Sequence, residues 1–194
     1  MKKTIFVSLA CLVSTILCAQ NFTAGVKAGV NISNFTGGDF EGVEKKALMG
    51  FHGGGFLSFS LGAIYLQPEV LISTQGARID SVHGSYDWKV TYAAVPVMFK
   101  YRSPGGFYLE AGPQISFKLS DNVENQSIED FANDLDLSAG AGLGWQTKGG
   151  LGLGARYLVG ISKVGDFDIS ESNGIDPDFK NSVIQVGISL ALGK

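Results

Sequence analysis

The sequence predicts an all-β chain, an eight-stranded antiparallel up-and-down transmembrane β-barrel. Three observations point there: long segments alternate apolar and polar residues, short and long connections take turns between them, and an export signal precedes them. The alternation is cleanest over Phe107–Leu119. Phe107, Leu109, Ala111, Pro113, Ile115, Phe117 and Leu119 interleave with Tyr108, Glu110, Gly112, Gln114, Ser116 and Lys118. A period of two means an extended strand with one oily face and one wet face. The run is longer than an ordinary globular strand and suffices for the ~9–11 residues with which a strand crosses a bilayer.

Residues 1–19 read as a signal peptide and residues 20–194 as the barrel domain. Lys2 and Lys3 give a positive start, Thr4 to Leu17 is mostly apolar, and Ala19 offers a small residue for cleavage. The apolar stretch is too short for a membrane helix, which needs ~20 residues. Thr15-Ile16-Leu17 before Cys18 does not match a lipidation motif. Both cysteines, Cys11 and Cys18, fall inside the signal, so the mature chain carries no thiol. Disulfides, thiolate metal sites and thiol catalysis are thereby excluded, and no cofactor is expected. Loss of Lys2 and Lys3 moves the formal charge from −3 to about −5. An acidic chain without basic clusters is not expected to bind nucleic acid. The 27 glycines have no collagen-like period and fall mostly inside alternating segments, as inward positions of a crowded barrel would.

Eight strands follow in order. The first is Phe22–Asn31, with Phe22, Ala24, Val26, Ala28 and Val30 on one face. The second, Met49–Leu61, puts Phe51, Leu57, Phe59 and Leu61 outward around Gly53-Gly54-Gly55. The third, Ala63–Thr74, turns Ile64, Leu66, Val70 and Ile72 outward and Tyr65, Gln67, Glu69 and Ser73 inward. The fourth, Tyr86–Arg102, shows Ala93, Val95, Val97, Phe99 and Tyr101 outward. Phe107–Leu119 is the fifth. Leu135–Gln146, Gly150–Ser162 and Ser182–Leu192 complete the set with the same alternation.

Three connections are tight: Leu61-Gly62-Ala63, Ser103-Pro104-Gly105-Gly106 and Thr147-Lys148-Gly149. Their Gly and Pro supply the backbone angles of short hairpins. Four are long: Ile32–Leu48, Gln75–Ser85, Ser120–Asp134 and Lys163–Asn181. Bacterial outer-membrane barrels have short periplasmic turns and long extracellular loops, so both termini are expected in the periplasm. A soluble barrel or β-sandwich would bury its apolar face and show water the polar one. The polar face here is rich in glycine and poor in large polar groups, which suits a lumen rather than a solvated surface. The outer membrane is therefore the expected location.

Several segments resemble the PorT-like outer-membrane β-barrel family. They are Leu66-Gln67-Pro68-Glu69-Val70-Leu71-Ile72-Ser73 with Gln75-Gly76-Ala77, Tyr92 to Tyr101, Phe107 to Pro113, and Asp136-Leu137 through Ala141-Gly142. The similarity runs from about Phe22 to the C-terminus. Two departures stand out. Family members often carry an acidic residue where Ala94 stands, and such barrels usually end on an aromatic residue, whereas this chain ends Leu190-Ala191-Leu192-Gly193-Lys194. The resemblance implies the fold and the location. It is functionally mixed, with some relatives taking part in protein secretion.

The inward set includes the charges Lys27, Glu69, Lys100, Glu110 and Arg156, along with Tyr65, Gln67, Tyr92 and Gln114. An eight-stranded lumen is about filled by its own side chains. These charges are expected to plug it as structural ion pairs rather than gate a proton or solute path. Lys100 and Glu110 flank the Ser103–Gly106 turn and are expected as cross-strand neighbours. Lys27, Glu69 and Arg156 lie near mid-strand, where they can meet across the lumen. Tyr101, Phe107 and Trp145 end their outward faces at one level and read as an interfacial aromatic girdle.

There are two histidines. His52 is placed at the outer start of the second strand. His83 lies in Arg78-Ile79-Asp80-Ser81-Val82-His83-Gly84-Ser85-Tyr86-Asp87, where Ser and Asp nearby invite a triad reading. Short polar loops hold such residues by default, so no enzyme activity and no catalytic residue are expected. Asp121, Glu124, Glu129, Asp130 and Asp134 crowd the third long loop, and Asp166, Asp168, Glu171, Asp176 and Asp178 the fourth. No calcium-loop spacing occurs among them, so they read as a solvated acidic rim and not a metal site. The expected role is a small structural or interaction barrel. Its partners would be outer-membrane lipid and lipopolysaccharide, with the barrel assembly machinery acting during biogenesis. The alternatives are an accessory of a secretion system, an enzyme acting through loop residues near His83, and a narrow channel.

Overall fold

The computed structural model describes residues 22–37, 44–81, 84–123, 134–162 and 179–192. The expected signal peptide, His83 and most of the acidic residues of the third and fourth long loops lie outside the described residues. Eight strands appear: β1 (Phe22–Gly37), β2 (Glu44–Leu61), β3 (Ile64–Ser81), β4 (Gly84–Arg102), β5 (Phe107–Val123), β6 (Leu135–Gln146), β7 (Leu151–Gly160) and β8 (Phe179–Leu192). Each pairs antiparallel with the next, and β1 closes on β8 from Ala24↔Leu192 to Gly37↔Phe179. Closure leaves no unpaired edge, which a strand in lipid cannot tolerate.

The two faces are set by the pleat. Glu69 is 1% exposed and its neighbour Val70 is 63% exposed. The same switch repeats around the wall. Val26, Phe51, Phe99, Leu109, Leu143, Leu153 and Ile188 are all exposed, while Asn31, Gln67, Gln114, Arg156 and Gln185 are buried. A contiguous apolar belt of this extent is incompatible with water and fits the hydrocarbon core of a bilayer.

At the end opposite the tight turns, the strands correct the sequence reading. Gln75–Ser85 is not a long loop: β3 runs on to Ser81, β4 begins at Gly84, and Ser81 pairs with Gly84. β1 likewise continues to Gly37, β2 starts at Glu44, and β5 reaches Val123. The physical reason is that the outward face changes solvent. Arg78 looks like a loop residue if the outside is lipid, but above the membrane an outward polar residue is what a strand needs. Two register shifts sit in this overhang, between Ala47 and His52 and between Thr91 and Tyr92. Such bulges commonly end or re-aim a strand face.

The inside is more apolar than the strand reading allowed for. Leu71, Met98, Leu158 and Val183 are buried among the polar side chains, together with Phe56. An eight-stranded lumen is a packed core, so it takes apolar filler wherever hydrogen-bonding partners are lacking. Glycines make room for the larger side chains. Tyr108 pairs with Gly144, and a Cβ at Gly144 would stand 2.5 Å from the Tyr108 ring and hydroxyl. The hydroxyl end of the ring therefore packs against the bare backbone of β6. At this same end of the wall, Gly106 and Gly150 close their turns with φ of +91° and +92°, a conformation that glycine adopts without strain.

Candidate functional site

Charges from five strands converge in the lumen. Lys27 comes from β1, Glu69 from β3, Lys100 from β4, Glu110 from β5 and Arg156 from β7. Arg156 is the hub. Its Nη2 donates to Glu69 Oε1 at 2.7 Å, its Nη1 to Glu69 Oε2 at 3.0 Å, and its Nε to Glu110 Oε1 at 2.8 Å. Lys27 Nζ approaches Glu69 Oε2 at 3.4 Å. Lys100 Nζ lies 3.2 Å from Glu110 Oε2 as an ion pair, and its well-formed hydrogen bond goes to Gln67 Oε1 at 3.0 Å. Gln67 Nε2 in turn donates to Glu69 Oε1 at 2.8 Å. Two carboxylates are thus enclosed by three cations and an amide.

This placement follows from the strands. Lys100 and Glu110 are register partners, as counting back from the Ser103–Gly106 turn requires. Glu69 and Arg156 sit on strands four positions apart in a ring of eight, so they face each other across the full width. The charges therefore close the lumen rather than line it. A void of about 10 Å³ lies beside them, among Lys27, His52, Tyr108 and Gln185. That is room for about one water.

A second layer lies towards the overhanging end, and the sequence reading missed it. His52 is not at the start of β2 but inside the strand, and it is 2% exposed. Asn31 organises the layer. Its Nδ2 donates to Ser73 Oγ at 3.0 Å and to the Thr74 carbonyl at 2.8 Å. Its Oδ1 faces His52 Nδ1 at 2.8 Å and accepts from Gln185 Nε2 at 3.2 Å. An amide oxygen can only accept, so Nδ1 of His52 carries the proton. Further round, Asp136 accepts from Ser138 Oγ at 2.9 Å and Ser162 Oγ at 3.1 Å. The inward parity of Asn31 and Gln185 was the available signal for this layer.

Tyr101, Phe107 and Trp145 are all exposed on the outer wall at the turn end. Phe107 and Trp145 are register partners, and Tyr101 pairs with Leu109, two residues from Phe107.

No curated protein matches the chain. Solved structures do. Neisserial surface protein A superposes with a TM-score of 0.56 at 13% identity, covering 86% of this chain and 96% of that one. The outer membrane protein OprG of Pseudomonas aeruginosa gives 0.54 at 8% identity, over 90% and 97% of the two chains. Ail, the attachment invasion locus protein of Yersinia pestis, solved with the heparin analogue sucrose octasulfate, gives 0.52 at 17% identity, over 89% and 100%. At these identities the likeness is one of fold. The model of the outer membrane protein beta-barrel domain matches residues 18–166. The chain belongs to that family and is a protein of the outer membrane.

Proposed function

We propose that this protein is a closed structural and interaction barrel: a plugged, rigid wall that holds acidic extracellular segments at the cell surface. One observation carries the reading. The Glu69–Arg156 pair spans the lumen at 2.7 Å, so the wall supports a platform and not an aqueous pore. Lys27, Glu69, Lys100, Glu110 and Arg156 serve as structural charges that fix the strands around them. Tyr101, Phe107 and Trp145 hold the turn end at the lipid headgroup boundary, where amphipathic rings are favoured.

The outward-facing chemistry is carboxylate-rich in sequence, from Asp121 to Asp134 and from Asp166 to Asp178. A sulfated sugar such as the one bound to Ail would be repelled by it. Cationic partners, or lipopolysaccharide phosphates bridged by divalent cations, suit it better. The finer PorT-like affiliation, and with it a secretion role, rests on the strand motifs alone. A catalytic role would need His83 and finds no support among the described residues.

Two measurements test the proposal. Purified protein in planar bilayers is expected to give no steady conductance, and an ohmic open state would end the plugged-wall reading. In cells lacking the gene, the full chain and a variant with residues 124–133 and 163–178 shortened to turns are compared for detergent resistance and for surface attachment. Restored resistance with lost attachment supports a platform whose loops do the work. A secretion defect in the deletion strain would instead favour the accessory role.

A further inference from the structure

We propose that the turn-side mouth of the barrel is a binding site for a small oxyanion, anchored by Arg102 with Lys148 as second cation. The mouth is a cavity of about 1240 Å³ framed by the three tight turns. Its lining includes Arg102, Lys148, Tyr65, Gln146, Ser103 and Thr147, and no Asp or Glu. That is a local inversion in a chain of net charge −3.

The contrast with the middle of the lumen gives the argument its force. Lys27, Lys100 and Arg156 each meet a carboxylate. No carboxylate of the described residues lies within ion-pairing distance of Arg102. The guanidinium is nevertheless held in place. Nη1 donates to Gln146 Oε1 at 2.7 Å, Nη2 donates to the Tyr65 hydroxyl, and the group stacks over the Tyr65 ring at 4.3 Å. Two of its five N–H donors are thereby committed and the plane is fixed. The remaining donors keep the fork geometry that matches carboxylate or phosphate oxygens. A half-buried, pre-oriented fork loses little freedom on binding, which favours affinity. Lys148 sits exposed at the tip of its turn, where a flexible point charge can close over a bound anion.

The start of β1 at Phe22 and the end of β8 at Leu192 lie on this same side, the periplasmic side by the short-turn rule. The ligand is accordingly a soluble periplasmic molecule carrying a phosphate or carboxylate. The charge plug above the mouth makes the site a blind pocket rather than the start of a path.

The test uses the full barrel, ¹⁵N-labelled, in uncharged maltoside micelles. The Arg102 Nε–H resonance is assigned by its loss in Arg102→Lys, and the backbone amides of the Thr147–Gly150 turn, which line the same mouth, report binding in the Arg102 variants. Sodium phosphate and N-acetylglycine are titrated separately, against sodium chloride at matched ionic strength. A saturable shift with phosphate, with the carboxylate or with both, and none with chloride, supports the site and identifies the oxyanion. Arg102→Gln is expected to weaken binding by about tenfold or more, the worth of one charge-assisted pair. Lys148→Ala should weaken it by a smaller factor. A shift that follows ionic strength alone, or affinity unchanged in Arg102→Gln, overturns the proposal and leaves Arg102 as a tie between β3, β4 and β6. If Arg102→Gln does not fold, judged by gel mobility with and without boiling, Arg102→Lys decides. It keeps the charge and loses the fork, so undiminished binding there is equally fatal.

Discussion

Arg156 and Glu69 grip each other from opposite walls of the barrel, through two parallel hydrogen bonds of 2.7 and 3.0 Å. The Arg156 side chain is 2% exposed and the Glu69 side chain 0%. Taking both charges out of water is costly, and attraction in a poorly screened interior offsets that cost only when the geometry is good and the other donors are used. Here they are used: the third guanidinium contact goes to Glu110.

Removing the hub should therefore cost more than the pair itself is worth. Arg156→Leu leaves Glu69 and Glu110 facing each other without their shared cation. The unfolding free energy is expected to fall by about 3–5 kcal/mol. Urea unfolding of the barrel in micelles, followed by gel mobility, measures it. A loss below about 1 kcal/mol would mean that water already reaches these carboxylates.

Glu110 separates charge from hydrogen bonding. It accepts from Arg156 at 2.8 Å and pairs with Lys100 at 3.2 Å. Glu110→Gln keeps an acceptor for the guanidinium and loses the charge, whereas Glu110→Ala loses both. The alanine variant should show the lower thermal midpoint, with glutamine between it and the parent. An unchanged midpoint in Glu110→Ala would remove the Lys100–Glu110 pairing from the account.

Asn31 ties β1 to β2, β3 and β8 through one amide. Asn31→Ala strands the Thr74 carbonyl, the Gln185 amide and Nδ1 of His52 in a buried layer. Each unmet group costs about 1–3 kcal/mol. The variant should be among the least stable single substitutions in the lumen. The parent should also show the His52 proton on Nδ1 in ¹⁵N spectra. A proton on Nε2 alone would reverse the assigned amide orientation.

The wall was far more legible than the layer that Asn31 builds. Period-two alternation assigns each face without tertiary information, because neighbouring residues must point opposite ways. The Lys100–Glu110 contact was legible for a related reason: a four-residue turn fixes the register, and register fixes the partner. Asn31 and His52 were not. Both lie near boundaries drawn where the outward face turned polar, and polarity there reports the end of lipid, not the end of the strand. The shift between Ala47 and His52 then hides which residues of β2 point inward. Leu71, Met98 and Leu158 stood on the correct parity, but an apolar residue on a polar face carries no mark in the sequence to distinguish filler from error. Arg102 could be read as inward, yet its lack of a carboxylate depends on side chains from three strands.

Orientation in the membrane is open to a direct chemical check, because both cysteines of the sequence, Cys11 and Cys18, fall in the expected signal peptide. A single introduced cysteine is then the sole thiol of the mature barrel. Lys148 is exposed in the Thr147–Gly150 turn, and Arg78 is exposed on the overhang of β3. If the tight turns face the periplasm, a membrane-impermeant maleimide should label Arg78→Cys in intact cells. It should reach Lys148→Cys only after the outer membrane is permeabilised. The reverse pattern would put the Arg102 mouth on the outside and the overhanging strands within, and would move any oxyanion ligand from the periplasm to the cell's surroundings. Labelling of both sites in intact cells would mean that the barrel is not sealed in the membrane at all.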